Sequence, residues 1–224
     1  MQEQYFSYGD RETAYLKKKD KRLAAAIERL GHINRAVDKD LFAAVVHHIV
    51  GQQISTKAQW TIWHRLENNL GTVNAQTILQ AGEPKLQSFG MTFKKAAYIT
   101  DFASKVNSGA FDIEAVANMS DEEAINALVE LKGIGVWTAE MILLFCLERP
   151  DVFSFGDLAI LRGLRMLYRH REITKERFER YRKRYSPYGS VASLYLWAIS
   201  GGAIPELTDP APAKKNIPSK KKKV

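Results

Sequence analysis

Cysteine is nearly absent: the chain of 224 residues has one, Cys146. One thiol can neither close a disulfide within the chain nor supply the four ligands of an iron–sulfur cluster. In an apolar helical stretch it reads as a small core residue. No apolar run reaches the 18 or so residues that suggest a membrane-spanning helix, and no secretory leader pattern stands at the start. A soluble, intracellular protein with no membrane partner is therefore expected. Alternation of the strand type is scarce, and no internal repeat is visible. His47 and His48 are adjacent rather than one helical turn apart, with no partner cluster, so they read as packed or exposed rather than as metal ligands. Of seven prolines, four fall at or after Pro205.

Helical periodicity fills the space these absences leave. Hydrophobic residues make up 46% of the chain, enough for a solid core. Helices are predicted over 10–30, 39–50, 55–70, 92–106, 120–130, 136–147, 157–168, 175–185 and 189–200, with short connections. Gly31 and Gly71 stop two of them, and Ser120 with Glu123 opens another as a capping box. The expected class is all-α, with two helical lobes. Net charge is +8 and unevenly placed. Residues 162–184 hold ten Lys/Arg against three Glu, and residues 214–224 hold six Lys and no acid. Such concentration fits a polyanionic partner. A solvated helix face carrying Glu–Arg pairs is the alternative for 162–184, although Arg on three sides of such a helix exceeds pairing needs. Residues 206–224 read as a disordered basic tail.

The most informative segment runs from Leu131 to Leu161. Leu131-Lys132-Gly133-Ile134-Gly135 has the pattern of a tight turn between helices. A helix starting just past Gly135 offers free N–H groups and a positive dipole end, which together hold an anion. A phosphate bound there would position a duplex without reading its sequence. Read alone, the glycines suit an ordinary helix-turn-helix connection better, since short glycine motifs are common. Asp157 then stands as a lone carboxylate before Leu158-Ala159-Ile160-Leu161, where a helix N-cap is the ordinary role.

The wider string, Leu131-x-Gly133-Ile134-Gly135-x-Trp137-Thr138-Ala139 followed by Val152-Phe153 and Asp157, resembles the helix-hairpin-helix superfamily of DNA glycosylases. It is most similar to the alkylation-repair branch, the DNA-3-methyladenine glycosylase II type. Two further strings are similar to that branch: Ile49-Val50-Gly51-Gln52-Gln53-Ile54-Ser55-Thr56-Lys57-Ala58 and Gly90-Met91-x-x-Lys94-x-x-Ala97. The resemblance runs from about residue 40 to 197. It implies a central lobe over 38–149 that carries the helix-hairpin-helix and a terminal lobe over 1–37 and 150–205. The active-site cleft would lie between them.

The resemblance also implies an activity. The chain would be a monofunctional N-glycosyl hydrolase of base excision repair, excising alkylated purines such as 3-methyladenine and 7-methylguanine from double-stranded DNA. It would act as a monomer, nucleoid-associated if bacterial. Asp157 would be the catalytic carboxylate, stabilising positive charge on the deoxyribose; Asp151, beside Pro150, is a weaker candidate with a sufficient turn role. Trp137 and Tyr188 would wall a pocket for the extruded base, with Met141 one turn on, where core packing is the plainer reading. Gly133, Gly135, Lys132, Gln52, Gln53, Ile54 and Lys94 would touch DNA, Gln53 or Ile54 filling the gap a flipped nucleotide leaves. Lys95 shares the Lys94 reading, and for both an exposed helix face serves equally. No cofactor is required, although Na+ or K+ at the backbone carbonyls of Leu131 and Gly133 is plausible in the family. Bifunctional members carry a Schiff-base Lys two residues after the second glycine, and here that position is Trp137. Two alternatives stay open: a non-catalytic helix-hairpin-helix DNA-binding protein, and a glycosylase for deaminated or oxidised bases.

Overall fold

A computed structural model describes residues 4–211, which form twelve α-helices and one two-stranded antiparallel sheet. The sheet pairs β1 (Gln4–Tyr5) with β2 (Ala36–Val37), Tyr5 opposite Ala36. One group of helices packs together around α3 (Leu41–Gly51), whose apolar residues are buried almost all round: α4 (Thr56–Leu70), α5 (Ala75–Ser88), α6 (Phe93–Asn107), α7 (Ile113–Val116), α8 (Asp121–Val129) and α9 (Val136–Phe145). A second group joins α1 (Asp10–Lys19) and α2 (Lys21–Leu30) to α10 (Leu158–Tyr168), α11 (Lys175–Tyr185) and α12 (Gly189–Ser200). There α10 and α12 approach so closely that a Cβ at Gly163 would strike the backbone carbonyl of Leu196. No helix among the described residues is long and apolar enough to cross a membrane.

The structure corrects several expectations. The helix predicted over 10–30 is two helices. Asp20 leaves the helical region (φ −148°, ψ 110°) and its carboxylate caps α2, accepting from Arg22 N and Leu23 N at 3.0 Å. Aspartate competes for backbone N–H groups in this way and favours caps over helix interiors. The helix α5 has no counterpart among the predicted helices, because Gly82 (φ 70°) and Pro84 disturb its pattern. The helix kinks at Gly82 and continues, and Asn74 with Thr77 supplies its opening capping box. The short α7 is a second addition. Finally, residues 206–211 are docked rather than loose. Glu206 pairs with Arg29 at 2.8 Å, and Asp209 takes a two-pronged contact from Arg165 at 2.9 and 2.6 Å. Bidentate Arg–carboxylate geometry orders both partners. The Lys-rich remainder lies outside the described residues.

The loop between α9 and α10 carries Asp157 and is fastened on several sides. Val152 N donates to Ser190 Oγ at 2.9 Å, and Ser193 Oγ donates to Val152 O at 3.2 Å. Phe153 stacks on Phe178 of α11 with ring centroids 4.8 Å apart, and Phe155 meets the same ring edge-on at 5.1 Å. The backbone ahead of Asp157 is therefore held by both α11 and α12.

Candidate active site and nucleic-acid interface

Asp157 is the N-cap of α10 and is only 5% exposed. Its Oδ1 accepts from Ala159 N at 2.8 Å and Ile160 N at 2.9 Å, while Oδ2 accepts from the indole Nε1 of Trp137 at 2.9 Å. Capping leaves one oxygen for other contacts: the helix holds Oδ1, and Oδ2 is turned toward α9. Trp137 is 45% exposed, so it is not a plain core residue. Val136 before it and Leu158 after Asp157 are exposed too.

Two neighbours complete the centre. Glu140, three residues after Trp137, accepts from the hydroxyl of Ser154, which is fully buried. Burial raises the Glu140 pKa above the usual carboxylate value. Neither residue was singled out from the sequence, although Glu140 is the one charge in the helix sequence VWTAEMILLF. That isolation was the available signal.

The hairpin is built asymmetrically. Ile134 is buried while Gly133 and Gly135 on either side are exposed. Gly133 has φ +87°, and a Cβ there would lie 2.5 Å from the Tyr98 ring of α6, so the fold itself demands glycine. Gly135 is different: φ is −100°, and an added Cβ would meet nothing within 4 Å. It begins α9 without any side-chain cap, leaving the first N–H groups of that helix open. The carbonyl of Leu131 accepts from Ile134 N at 3.1 Å, and that of Gly133 from Gln52 Nε2 at 2.6 Å.

Gln52 therefore joins the α3–α4 turn to the hairpin. Beside it Gln53 is exposed with φ +56°, a left-handed conformation that costs a non-glycine residue roughly 1–2 kcal/mol. Ile54 is also exposed. The turn thus presents a polar and an apolar side chain outward on a strained backbone. Lys94 is exposed and lies 5.7 Å from the Tyr98 ring centroid.

Several proposed contacts stand differently. Lys132 is exposed but paired: its Nζ is 2.7 Å from Asp101 Oδ1 of α6, and the partner raises its pKa. Lys95 turns inward, donating to Val50 O at 2.8 Å and Gln52 O at 2.6 Å. It closes the C-terminus of α3, where a cation is favoured. Met141 is 3% exposed and offers no surface to a ligand. Tyr188 is part-buried with its ring edge-on to Tyr15 at 5.2 Å, and no ring contact joins it to Trp137 among the described residues. Asp151 ties the start of α12, accepting from Gly189 N at 2.9 Å and Ser186 Oγ at 2.6 Å. Burial pushes the His48 pKa down to about 4 and that of Cys146 up to about 12, leaving both neutral near pH 7. No cluster of metal-ligating side chains exists among the described residues.

The basic segment is partly self-neutralised. Arg162 and Arg165 pair with Asp209, Lys175 and Arg182 with Glu179, and Arg184 with the buried Asp20. Arg169, Arg171, Arg177, Arg180 and Lys183 form no ion pair with a carboxylate among the described residues. A cavity of about 560 Å³ lies at the far end of α10, between Lys21, Arg22, Tyr168 and Arg184. Asp157 lines neither this cavity nor one of about 360 Å³ beside Ile204 and Leu207.

An uncapped helix start, a capped carboxylate bonded to an exposed indole and a strained outward turn occupy the segment that residues 46–187 share with the HhH-GPD superfamily base excision DNA repair protein family. The chain belongs to this superfamily. It is 30% identical over 189 residues to DNA-3-methyladenine glycosylase 1 of Schizosaccharomyces pombe, covering 82% of each chain. Its match to YfjP of Bacillus subtilis, 25% identical over 187 residues, spans 64% of that protein. Among solved structures, DNA-3-methyladenine glycosidase from Bacillus halodurans has a TM-score of 0.79 and 33% identity, with 91% of this chain and 95% of that one covered. The S. pombe 3-methyladenine DNA glycosylase in complex with abasic DNA gives a TM-score of 0.75 at 28% identity, with 85% and 97% covered.

Proposed function

We propose that this superfamily member is a monofunctional DNA glycosylase of the 3-methyladenine II type, hydrolysing the N-glycosidic bond of alkylated purines in duplex DNA. The observation that carries the reading is the Asp157 carboxylate, held by the α10 N-terminus and bonded to the exposed Trp137. The names of relatives matching most of the chain support the substrate class.

The residues divide the work. The uncapped start of α9 receives a backbone phosphate, with room at Gly135 for close approach. Gln53 or Ile54 enters the space left by the extruded nucleotide. The face of Trp137 meets an electron-poor, often cationic, methylated purine. Asp157 stabilises oxocarbenium character on the sugar as the bond to the base breaks. Tyr188 can wall the base site only if the lesion draws it from Tyr15. The protein acts as a monomer on its DNA. An alkali ion at the Leu131 and Gly133 carbonyls would share the Gly133 oxygen with the Gln52 amide that donates to it.

Incubation with methylated duplex DNA and identification of the free bases tests the reading. Release of 3-methyladenine or 7-methylguanine is expected, and release of neither overturns it. The DNA product is expected to be an intact abasic site, cut only after alkali, with no borohydride-trapped adduct, because indole at position 137 cannot form an imine.

A further inference from the structure

Glu140 is the single charged side chain of α9, and burying a carboxyl costs free energy that an apolar residue would avoid. It shares a helix face with Trp137, three residues earlier. From that face α9 grips the Asp157 loop twice. Trp137 Nε1 donates to Asp157 Oδ2 at 2.9 Å, and Glu140 accepts from Ser154 Oγ. Ser154 is itself linked to Asp157, whose N–H donates to its carbonyl at 3.4 Å. Packing alone does not require a charge at this point.

We propose that Glu140 is a positioning residue for base excision: through Ser154 it sets the loop that aims Asp157, and its charge reinforces the negative field that Asp157 presents to the sugar. The inference rests on the glycosylase reading above. The groups facing Glu140 are Ser154 and Asp157 from the loop and the start of α10, and Lys175 and Arg182 from α11. Burial favours its neutral form and Asp157 adds to that effect; the Ser154 hydrogen bond and the two cations oppose it. The carboxylate form accepts from Ser154 and adds charge; the neutral acid keeps contact but adds none. Excision therefore falls as pH drops through the raised Glu140 pKa.

The experiment is single-turnover release of 3-methyladenine and 7-methylguanine from methylated duplex DNA across about pH 5 to 9, followed on whichever base the wild type releases. Wild-type protein is the control, and if it releases no base the glycosylase reading fails rather than this one. Glu140→Gln keeps an acceptor for Ser154 and is expected to lower the plateau rate about tenfold and abolish the acid limb, with DNA affinity unchanged. Ser154→Ala keeps the charge but loses the hydrogen bond that stabilises it, so its acid limb is expected to move to higher pH. A Glu140→Gln profile parallel to wild type overturns the proposal. Should Glu140→Gln not fold, a Ser154→Ala limb at the wild-type position overturns it equally, since a merely structural contact would change rates without moving the limb.

Discussion

The helices α9 and α10 begin in opposite ways. Both start with N–H groups that have no partner within the helix. At α10 two of them are taken by Asp157, so the dipole holds a carboxylate in place. At α9 the cap is Gly135, with no side chain and open space around it. One helix start is filled from within the chain and the other is left open. Two chemically equivalent termini thus end differently occupied through a single residue. The Trp137–Asp157 hydrogen bond joins the two starts.

Asp157→Asn disturbs this contrast most severely. Asparagine caps nearly as well as aspartate, so α10 should keep its start. The amide lacks the charge that opposes the sugar cation, and the loss of excision is expected to be on the order of a thousandfold. Binding to abasic DNA should persist. Near-wild-type single-turnover rates would remove Asp157 from the mechanism.

The hairpin glycines separate fold from binding. Gly133→Ala forces a Cβ into Tyr98 at positive φ and should lower stability by about 2–4 kcal/mol, read as a fall in the denaturant midpoint. Gly135→Ala meets no neighbour, and its cost to stability should stay near about 1 kcal/mol, that of a poorer cap. Its DNA affinity should nevertheless drop. Equal affinity losses per unit of lost stability in both variants would argue against phosphate approach at Gly135.

Smaller effects are expected from the basic surface. Arg180→Ala or Lys183→Ala should each lower the log–log salt slope of DNA binding by about one unit if a phosphate contact is lost. Arg165→Ala should leave the slope alone and reduce stability, because Arg165 is committed to Asp209. A slope change in Arg165→Ala with none in the other two would reverse the assignment. Least of all, deleting 212–224 should weaken nonspecific affinity and spare excision at saturating enzyme. The cut must stop there, since 206–211 carry the docked Glu206 and Asp209.

Much of this was legible in the sequence because local rules govern it. The end of α4 at Gly71, the Ser120 capping box and the helical start at Asp157 follow from backbone freedom and side-chain hydrogen bonding within a few residues. Gly82 and Pro84 concealed α5, since each breaks a periodic pattern even where a kinked helix survives. The inward turn of Lys95, the Lys132–Asp101 pair and the Glu140–Ser154 contact were invisible for another reason. Each depends on which element lies alongside, and a long side chain chooses its partner only after the helices have packed.

An all-α chain, its turns, its superfamily motifs and a lone carboxylate at a helix start could all be read from residue order, because capping, periodicity and glycine conformation act over one or two turns of backbone. Helix packing was needed to make Gly133 answer to Tyr98 and Gly135 to open space, to bring Trp137 to Asp157, and to commit half the basic segment to internal pairs. Those outcomes depend on distances between residues far apart in the chain, and such distances exist only once the helices pack.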